Sequence, residues 1–396
     1  MKELSRIAEA VQASTTMAID AMFKQMKADG IDVIGFGAGE PDFNTPDAIK
    51  QAGIEAIQNN FTRYTPAAGT VELRQAVCDR MKADCGLDYK PSQVVISSGA
   101  KHLVYLALRA MVNPGDEIIL PAPYWVSYIE LIRMVGGVPV VVTATESEHF
   151  KLTAEKLAAA ITPKTKAIIL NNPSNPTGMM YNREELEAIA EVCIKNEVYV
   201  ISDEIYYGLV YDGLKFTSFA ALSPEAKELT VLINGVSKSY AMTGWRIGYA
   251  CANDKIAKIM ANYVSHSTGS PVAISQKASV VALNAPQDEV EAMRRSFEER
   301  RNYIVERMNS IPGVSCIKPE GAFYVMMNLE QIIGKTIHGV EITNDDVFAD
   351  AFLKYGLVAV VPGSGFGAPN FVRWSYATSM ENIKEGLNRL EKFLAE

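Results

Sequence analysis

Short apolar runs rich in β-branched residues recur along the middle of the chain and alternate with amphipathic stretches. Most of these runs are apolar on both faces, which is typical of strands in a parallel sheet that helices cover on both sides. Seven runs follow the pattern: QVVIS (93–97), DEIIL (116–120), VPVVV (138–142), KAIIL (166–170), VYVIS (198–202), TVLIN (230–234) and IGYAC (247–251). They predict an α/β fold with a mainly parallel seven-stranded sheet.

The stretch REELEAIAEVCIKN (183–196) is the clearest amphipathic helix between two of these strands. Asn182 precedes it and Glu185 follows three residues later, the spacing of a capping box in which each side chain bonds the other residue's backbone N–H. The sequence therefore predicts that a helix begins directly after Asn182.

The pattern changes after a long helical stretch at about 288–309. Three β-rich segments, AFYVMMNL (322–329), LVAVVPG (357–363) and FVRWSYA (371–377), are then mixed with two further helical patterns. This mixture indicates a second, smaller α+β domain. The first 44 residues hold one helical pattern, stopped by Gly30, and are expected to join it. We predict a large domain at 45–304 and a small domain formed by 1–44 and 305–396.

Composition supports a folded, two-domain protein and excludes several classes. Of the 396 residues, 48% are hydrophobic and 21% charged, and neither a low-complexity segment nor an apolar run long enough for a membrane span occurs. The net charge of -8 comes with no run of Lys and Arg, so nucleic acid is not an expected partner. The five cysteines form no C-x-x-C pair, and their odd number predicts reduced thiols and a cytoplasmic location.

Two other patterns do not form the sites that they first suggest. GFGAGE (35–40) lacks the third glycine and the following helix of a dinucleotide-binding loop, so its glycines are better explained by close approach of the backbone to a ligand. The histidines have no metal-ligand spacing with one another or with cysteine, and no metal is expected. They are His102, His149, His266 and His338.

Asp203, Lys238 and Arg246 are candidates for a reactive site. Asp203 directly follows an apolar strand, where ligands bind in parallel sheets, although a lone Asp there is often a turn residue. Lys238 and Arg246 lie eight residues apart in GVSKSYAMTGWRIG (235–248). A lysine is a nucleophile only when neutral, and desolvation or a neighbouring cation lowers its pKa in that direction. The alternative is two solvated loop cations.

Two further cations stand in unusual positions. Arg373 lies within the apolar strand pattern FVRWSYA, where it needs either a substrate carboxylate or an internal salt bridge. Lys101 lies in the first turn of a predicted helix, where a cation opposes the helix dipole. Such a violation of a local rule suggests a function, and the alternative is a solvated lysine.

The segment GVSKSYAMTGWRIG resembles the pyridoxal 5′-phosphate (PLP) attachment signature of class I aminotransferases, and the chain is most similar to the bacterial aspartate aminotransferases of the I-gamma branch. The similarity extends over nearly the whole chain. The other matching segments are AGEPDF (38–43), RYTPAAG (63–69), GAKH (99–102), PYWVSY (123–128), NNPSNPTG (171–178), SDEIYY (202–207) and VRWSYA (372–377). The resemblance implies the PLP-dependent transferase fold type I.

The resemblance implies how these residues hold the cofactor ring. Lys238 carries PLP as an imine and later acts as the base at the substrate's Cα. Asp203 pairs with the pyridinium nitrogen, so that the ring acts as an electron sink. Tyr206 and Asn175 bond the phenolic oxygen, and Trp125 stacks on the ring. Without the family pattern, Trp125 would be interpreted as a core or interface tryptophan.

The resemblance also implies a phosphate site and a homodimer. The phosphate lies over the backbone amides of Gly99 and Ala100 at a helix N-terminus, and Arg246 completes the site. In the family's pattern, Tyr64 reaches the same phosphate from the neighbouring subunit. A homodimer with shared active sites follows.

The substrate-binding residues are implied in the same way. Arg373 binds the α-carboxylate, Gly39 adds a backbone contact, and Lys101 binds the second carboxylate of a dicarboxylic substrate, with Trp125 and Asn175 beside it. The implied reaction is a ping-pong transfer of the amino group of L-aspartate to 2-oxoglutarate, giving oxaloacetate and L-glutamate.

Other reactions remain open at this point. Prephenate, alanine or aromatic amino acids are alternative substrates, although relatives active on prephenate tend to carry a lysine where this chain has Gln12. A PLP-dependent Cβ or Cγ lyase and a noncatalytic PLP-binding regulator are different classes.

Two details of the family pattern need a structure. Gly235 stands where the wider family often has a serine that binds phosphate. By analogy, a cis peptide bond is also expected between Asn175 and Pro176.

Overall fold

The computed structural model describes residues 3–12 and 15–395 of the chain. Within these ranges, the α-helices are α1 (Arg6–Glu9), α2 (Thr15–Ala28), α3 (Asp47–Gln58), α4 (Val71–Cys85), α5 (Ala100–Met111), α6 (Ser127–Met134), α7 (Ala154–Ala160), α8 (Arg183–Lys195), α9 (Pro224–Leu229), α10 (Asp254–Ser267), α11 (Ala273–Asn284), α12 (Asp288–Asn309), α13 (Asp345–Gly356) and α14 (Met380–Ala395). Across the same described part of the chain, no helix is both long and apolar enough to cross a membrane.

The strands form one large sheet and three small ones. In chain order they are β1 (Ile34–Gly35), β2 (Val94–Ser97), β3 (Glu117–Ala122), β4 (Val138–Thr143), β5 (Thr165–Asn171), β6 (Tyr199–Asp203), β7 (Thr230–Gly235), β8 (Gly248–Cys251), β9 (Ser315–Cys316), β10 (Tyr324–Asn328), β11 (Thr336–Ile337), β12 (Val340–Glu341), β13 (Val358–Ala359), β14 (Val361–Pro362) and β15 (Phe371–Ser375). Every run predicted as a strand of the large sheet is one.

The large sheet has the strand order β2-β8-β7-β6-β5-β3-β4, and only β8 runs antiparallel to its neighbours. Successive residues of the inner strands alternate between two hydrophobic clusters, as Val200 and Ile201 do on β6. Helices cover both faces, which explains why these strands are apolar on both sides. The predicted α/β fold with a mainly parallel seven-stranded sheet is confirmed.

A second, four-stranded antiparallel sheet has the order β14-β15-β10-β9. Its core includes Phe36 and Trp374, whose ring centroids lie 4.6 Å apart. The N-terminal segment joins this region, because Ile34 of β1 pairs in parallel with Val358 of β13. Residue 304 lies inside α12, which also contacts β9 and α14. The exact domain boundaries stay a prediction.

The topology brings the carboxyl ends of β2, β5, β6 and β7, together with those of β3 and β4, to one edge of the large sheet. Because β8 is antiparallel to both β2 and β7, strand β2 runs in the same direction as β7, β6 and β5. These strands therefore end together at Ser97, Asn171, Asp203 and Gly235. The carboxyl edge of a parallel sheet is where ligands bind in α/β proteins.

The capping box of α8 provides a test of the local fold. Asn182 Oδ1 accepts a hydrogen bond from Glu185 N at 2.9 Å, and Glu185 Oε2 accepts one from Asn182 N at 2.8 Å. We expect Asn182→Ala to lower the free energy of unfolding by about 1 kcal/mol, measured as a lower urea midpoint. Glu191→Ala, a change on the exposed face of the same helix, serves as the control. Equal midpoints for the two variants would contradict the assignment.

Candidate active site

A cavity of about 400 Å³ opens at the carboxyl edge of the large sheet. Ten of the residues predicted from the sequence line it together: Gly39, Ala100, Lys101, Trp125, Asn175, Asp203, Tyr206, Lys238, Arg246 and Arg373. Gly99 adjoins the cavity beside Arg246. Tyr64 is not part of the cavity wall in the single chain, and 97% of its surface is exposed.

The Lys238 amine has lost most of its hydration. The pKa of this amine is lowered to about 8, chiefly by burial and also by the positive charges of Arg246 and Arg373, while Glu40 and Asp203 oppose the shift. Its Nζ donates a hydrogen bond to the carbonyl of Gly39. The amine is therefore neutral in a much larger fraction of molecules at neutral pH than an exposed lysine is, as a nucleophilic lysine requires.

Asp203 is buried at the end of β6, and burial raises the pKa of its carboxyl to about 6. Tyr128 donates a hydrogen bond to Oδ2 at 2.7 Å and the backbone N–H of Ile205 donates one to Oδ1 at 3.2 Å, and both oppose that rise. A cationic ring nitrogen facing this carboxylate would stabilise its ionised form further. Asp203 therefore fits the place of a pyridinium partner.

The N-terminus of α5 forms a cradle suited to an anion. Gly99 precedes the helix with φ 87°, and a Cβ atom there would lie 2.5 Å from Arg246 Nη2. Gly248 closes the other side, since its Cβ would lie 2.6 Å from Ala100 N. Free helix N–H groups and a guanidinium together bind phosphate well. Both glycines are needed for this close approach.

Gly235 also has a steric explanation. A Cβ atom at this position would lie 2.9 Å from the carbonyl oxygen of Ile247 and 3.0 Å from Gly248 Cα. The serine that many aminotransferases carry here would collide with backbone. Hydroxyl groups of the cavity wall come instead from Ser237 and Thr243.

Arg373 is the most constrained cation of the cavity, with only 2% of its surface exposed. Its Nη1 donates to Asn175 Oδ1 at 2.9 Å and its Nη2 donates to the carbonyl of Gly37 at 2.8 Å. The guanidinium lies 4.5 Å from the ring centroid of Tyr324 and 4.9 Å from that of Phe366. In residues 3–12 and 15–395, no carboxylate forms a salt bridge with it. The internal salt bridge considered from the sequence is thus not found there.

Lys101 lies over the ring of Trp125, with 4.9 Å between its Nζ and the ring centroid. Burial lowers the pKa of this amine, and the neighbouring Arg246 lowers it further. The cavity wall contains four Lys or Arg residues but only two carboxylates, Glu40 and Asp203. Its excess positive charge favours anionic ligands.

Sequence reasoning missed two tyrosines that belong to the site. Tyr128 stands three residues after Trp125 in the PYWVSY segment, and Tyr324 lies in a buried apolar strand. The Tyr324 hydroxyl is 2.9 Å from that of Tyr206. The one available signal was that a buried phenol needs a hydrogen-bond partner. The expected cis bond between Asn175 and Pro176 is present, as are two others before Pro123 and Pro173.

Comparisons with known proteins agree with this arrangement. Residues 31–390 match the family described as aminotransferase class I and II. The chain is 49% identical to an aspartate aminotransferase of Bacillus sp. (strain YM-2), with both chains covered completely, and 46% identical to an aspartate/prephenate aminotransferase of Cereibacter sphaeroides, with coverage of 100% and 99%. Its fold is similar to the crystal structure of the aspartate aminotransferase from Rhizobium meliloti, with a TM-score of 0.96, 42% identity and coverage of 100% and 99%.

The electrostatics of Lys238 can be tested without any ligand. In cofactor-free protein, we expect acetylation of this amine by acetic anhydride, followed by peptide mass spectrometry, to titrate with a midpoint of about 8. Arg246→Met should raise the midpoint and Glu40→Gln should lower it, because these charges act on the amine with opposite sign. Arg183→Met, an exposed change on α8, should leave it unchanged. A wild-type midpoint equal to that of exposed lysines would disprove the desolvation.

Proposed function

The chain belongs to the class I and II aminotransferases, and on that basis we propose that it transfers the amino group of L-aspartate to 2-oxoglutarate, giving oxaloacetate and L-glutamate. One observation carries the proposal. A buried guanidinium, Arg373, faces a cavity that also holds the partly neutral amine of Lys238 and the buried carboxyl of Asp203. This combination suits an amino acid bound by its carboxylate next to a PLP cofactor.

The cavity residues fit pyridoxal 5′-phosphate. Lys238 would be the attachment point, Asp203 would pair with the ring nitrogen, and Gly99, Ala100 and Arg246 would hold the phosphate. Tyr206 and Asn175 would bond the phenolic oxygen, and Trp125 would contact the ring. Bound PLP supplies an electron sink that accepts the electrons of the substrate's Cα–H bond.

Lys238 then has two tasks in sequence. It would first hold the cofactor, and its amine would be free for proton transfer once the substrate amine is bound there. Because burial holds the pKa of this amine at about 8, it is a competent base near neutral pH. Its Nζ takes the proton from the substrate Cα. The first product leaves before the second substrate binds, so the same residue serves both half-reactions.

Arg373 and Lys101 orient the substrate between them. Arg373 binds the α-carboxylate with its planar guanidinium, which Asn175 and Gly37 hold in place. The backbone of Gly39 adds a contact to the bound substrate. Lys101, on the same cavity wall, binds the second carboxylate of aspartate or glutamate. Such fixed positioning holds the Cα–H bond in the orientation that the proton transfer requires.

Prephenate is the second candidate substrate. A relative from Cereibacter sphaeroides is named as an aspartate/prephenate aminotransferase. In this chain Gln12 donates its backbone N–H to Glu130 at 3.2 Å and its side-chain amide to the carbonyl of Ala10 at 3.4 Å. Its neutral side chain offers no charge to a second carboxylate. Aspartate is therefore favoured.

An exposed apolar surface supports the homodimer. Large apolar side chains are exposed on α3, α4 and just before α11, and α11 packs against both other helices. They are Ile54, Ile57, Val71 and Val272. Large apolar side chains exposed on helices that pack together are consistent with a subunit interface, and Tyr64 lies between α3 and α4 in the chain. A cytoplasmic location is consistent with the unpaired state of all five cysteines.

Substrate preference tests the function directly. With PLP and 2-oxoglutarate as acceptor, we expect aspartate to react far faster than alanine, followed as oxaloacetate or pyruvate. With aspartate as donor, we expect 2-oxoglutarate to be a far better acceptor than prephenate, which is itself an oxo acid. Lys101→Ala should reduce kcat/KM for aspartate roughly 10- to 100-fold, the worth of a charged hydrogen bond, and leave alanine nearly unchanged. Lys166→Ala is the control, since Lys166 lies outside the cavity. An equal loss for both substrates would remove Lys101 from substrate recognition.

Hybrid dimers test the shared active site. Lys238→Ala subunits lack the amine, and Tyr64→Phe subunits lack the phenol offered to the partner. In a dimer with one subunit of each kind, we expect one complete site and therefore about half of the wild-type activity. The reason is that Tyr64 of the first subunit completes the site that holds Lys238 of the second. Activity no higher than that of Tyr64→Phe alone would show that Tyr64 acts within its own subunit.

A further inference from the structure

Tyr324 touches both halves of the site but has no role in the proposed reaction. It belongs to β10 of the four-stranded antiparallel sheet, called the small sheet below, and is fully buried. Its hydroxyl lies 2.9 Å from that of Tyr206, and its ring centroid lies 4.5 Å from the guanidinium carbon of Arg373. One side chain therefore contacts both a residue assigned to the cofactor and the residue assigned to the substrate.

The strand register explains this position. On the paired strands β10 and β15, Arg373 stands opposite Met326 and Tyr324 opposite Ser375. Tyr324 and Arg373 are thus diagonal neighbours on one face of the small sheet. Tyr206 comes from the other sheet, three residues after β6. The phenol pair is a contact between the carboxyl edge of the large sheet and the face of the small one.

The hydroxyl protons of the pair can be counted. A phenol has one proton to donate, so Tyr206 cannot donate to Tyr324 and to a cofactor oxygen at the same time. Burial raises the pKa of both phenols, so both keep their protons at neutral pH. Since the proposed function assigns the Tyr206 proton to the cofactor oxygen, the Tyr324 hydroxyl is the donor within the pair.

We propose that Tyr324 is a positioning residue with two separable functions: its hydroxyl donates to Tyr206 and directs the Tyr206 proton to the cofactor's phenolic oxygen, while its ring holds the Arg373 guanidinium in place for the substrate carboxylate. The first function rests on the proposed PLP chemistry. Donation by Tyr324 polarises the O–H group of Tyr206 and makes it a stronger donor.

The guanidinium of Arg373 has a second aromatic neighbour. Phe366 lies 4.9 Å from the Arg373 guanidinium carbon. Arg373 Nε has no hydrogen-bond partner within the described part of the chain. The rings of Tyr324 and Phe366 are therefore major contacts of the guanidinium. Cation–π contacts of this kind stabilise a desolvated guanidinium. Loss of the Tyr324 ring should loosen Arg373 without changing its charge.

Two variants separate the functions. Tyr324→Phe removes only the hydroxyl, and Tyr324→Leu removes both the hydroxyl and the ring. Tyr376→Phe is the matched control, because Tyr376 is another buried tyrosine of the small-domain region and does not line the cavity. Two measurements are needed on PLP-loaded protein: the pH midpoint of the visible absorption change and the dissociation constant of maleate, an unreactive dicarboxylate.

The expected direction of the change in the pH midpoint follows from charge. Loss of the proton from the Lys238 nitrogen leaves the negative charge of the phenolic oxygen without a compensating cation nearby, so donation from Tyr206 stabilises the deprotonated form more. Weaker donation in Tyr324→Phe should therefore raise the midpoint, by about half a pH unit or more. Maleate binding should stay near wild type in this variant, because the ring remains.

Tyr324→Leu should raise the midpoint in the same way and also weaken maleate binding roughly tenfold. Tyr376→Phe should change neither quantity. Equal midpoints in Tyr324→Phe and wild type would overturn the hydroxyl function, and unchanged maleate binding in Tyr324→Leu would overturn the ring function. A wild-type protein that showed no visible band with PLP would instead contradict the proposed function itself.

Discussion

The removal of water from the carboxyl edge of the large sheet is the constraint on which the site depends. At this edge the same physical cause acts on two groups of opposite charge, because burial disfavours whichever form is ionised. It lowers the pKa of the Lys238 amine to about 8 and raises that of the Asp203 carboxyl to about 6. Both groups thereby titrate near neutral pH, far from where they titrate in water. Such a pair is typical of acid–base catalysis.

The buried ionisable groups of the site are only partly satisfied by the residues around them. Asp203 retains its capacity for a cation because Tyr128 and the backbone of Ile205 satisfy it only in part. Arg373 is buried with neutral partners, the Asn175 amide and the Gly37 carbonyl, and so keeps its charge for an incoming anion. A buried charge without an ionic partner is costly in a folded chain. Its presence beside a lysine of lowered pKa is best explained by ligand binding.

The site is assembled from two sheets and the N-terminal segment. The large sheet contributes Asp203 and the segment that carries Lys238, while the small sheet contributes Arg373 and Tyr324. The segment after β1 runs between them, since the carbonyls of Gly37 and Gly39 accept hydrogen bonds from Arg373 and Lys238 respectively. Any movement of the small sheet would therefore change the surroundings of both Arg373 and Lys238. The pairing of β1 with β13 attaches this segment to the small-sheet region.

The sequence by itself determined the local structure and the candidate residues of the site. Strands apolar on both faces predict a parallel sheet because helices must cover both sides, and Asn182 with Glu185 predicts a helix start because both bonds are local. The lysine segment marks Lys238 and Arg246 as candidates because its residues, which follow one another within a single loop, resemble a known family signature. Only the tertiary structure decided the contacts of Tyr128 with Asp203, of Tyr206 with Tyr324 and of Gly37 with Arg373, which are separated by 75, 118 and 336 residues. Such contacts depend on how whole elements pack, and no pattern along the chain encodes that packing locally.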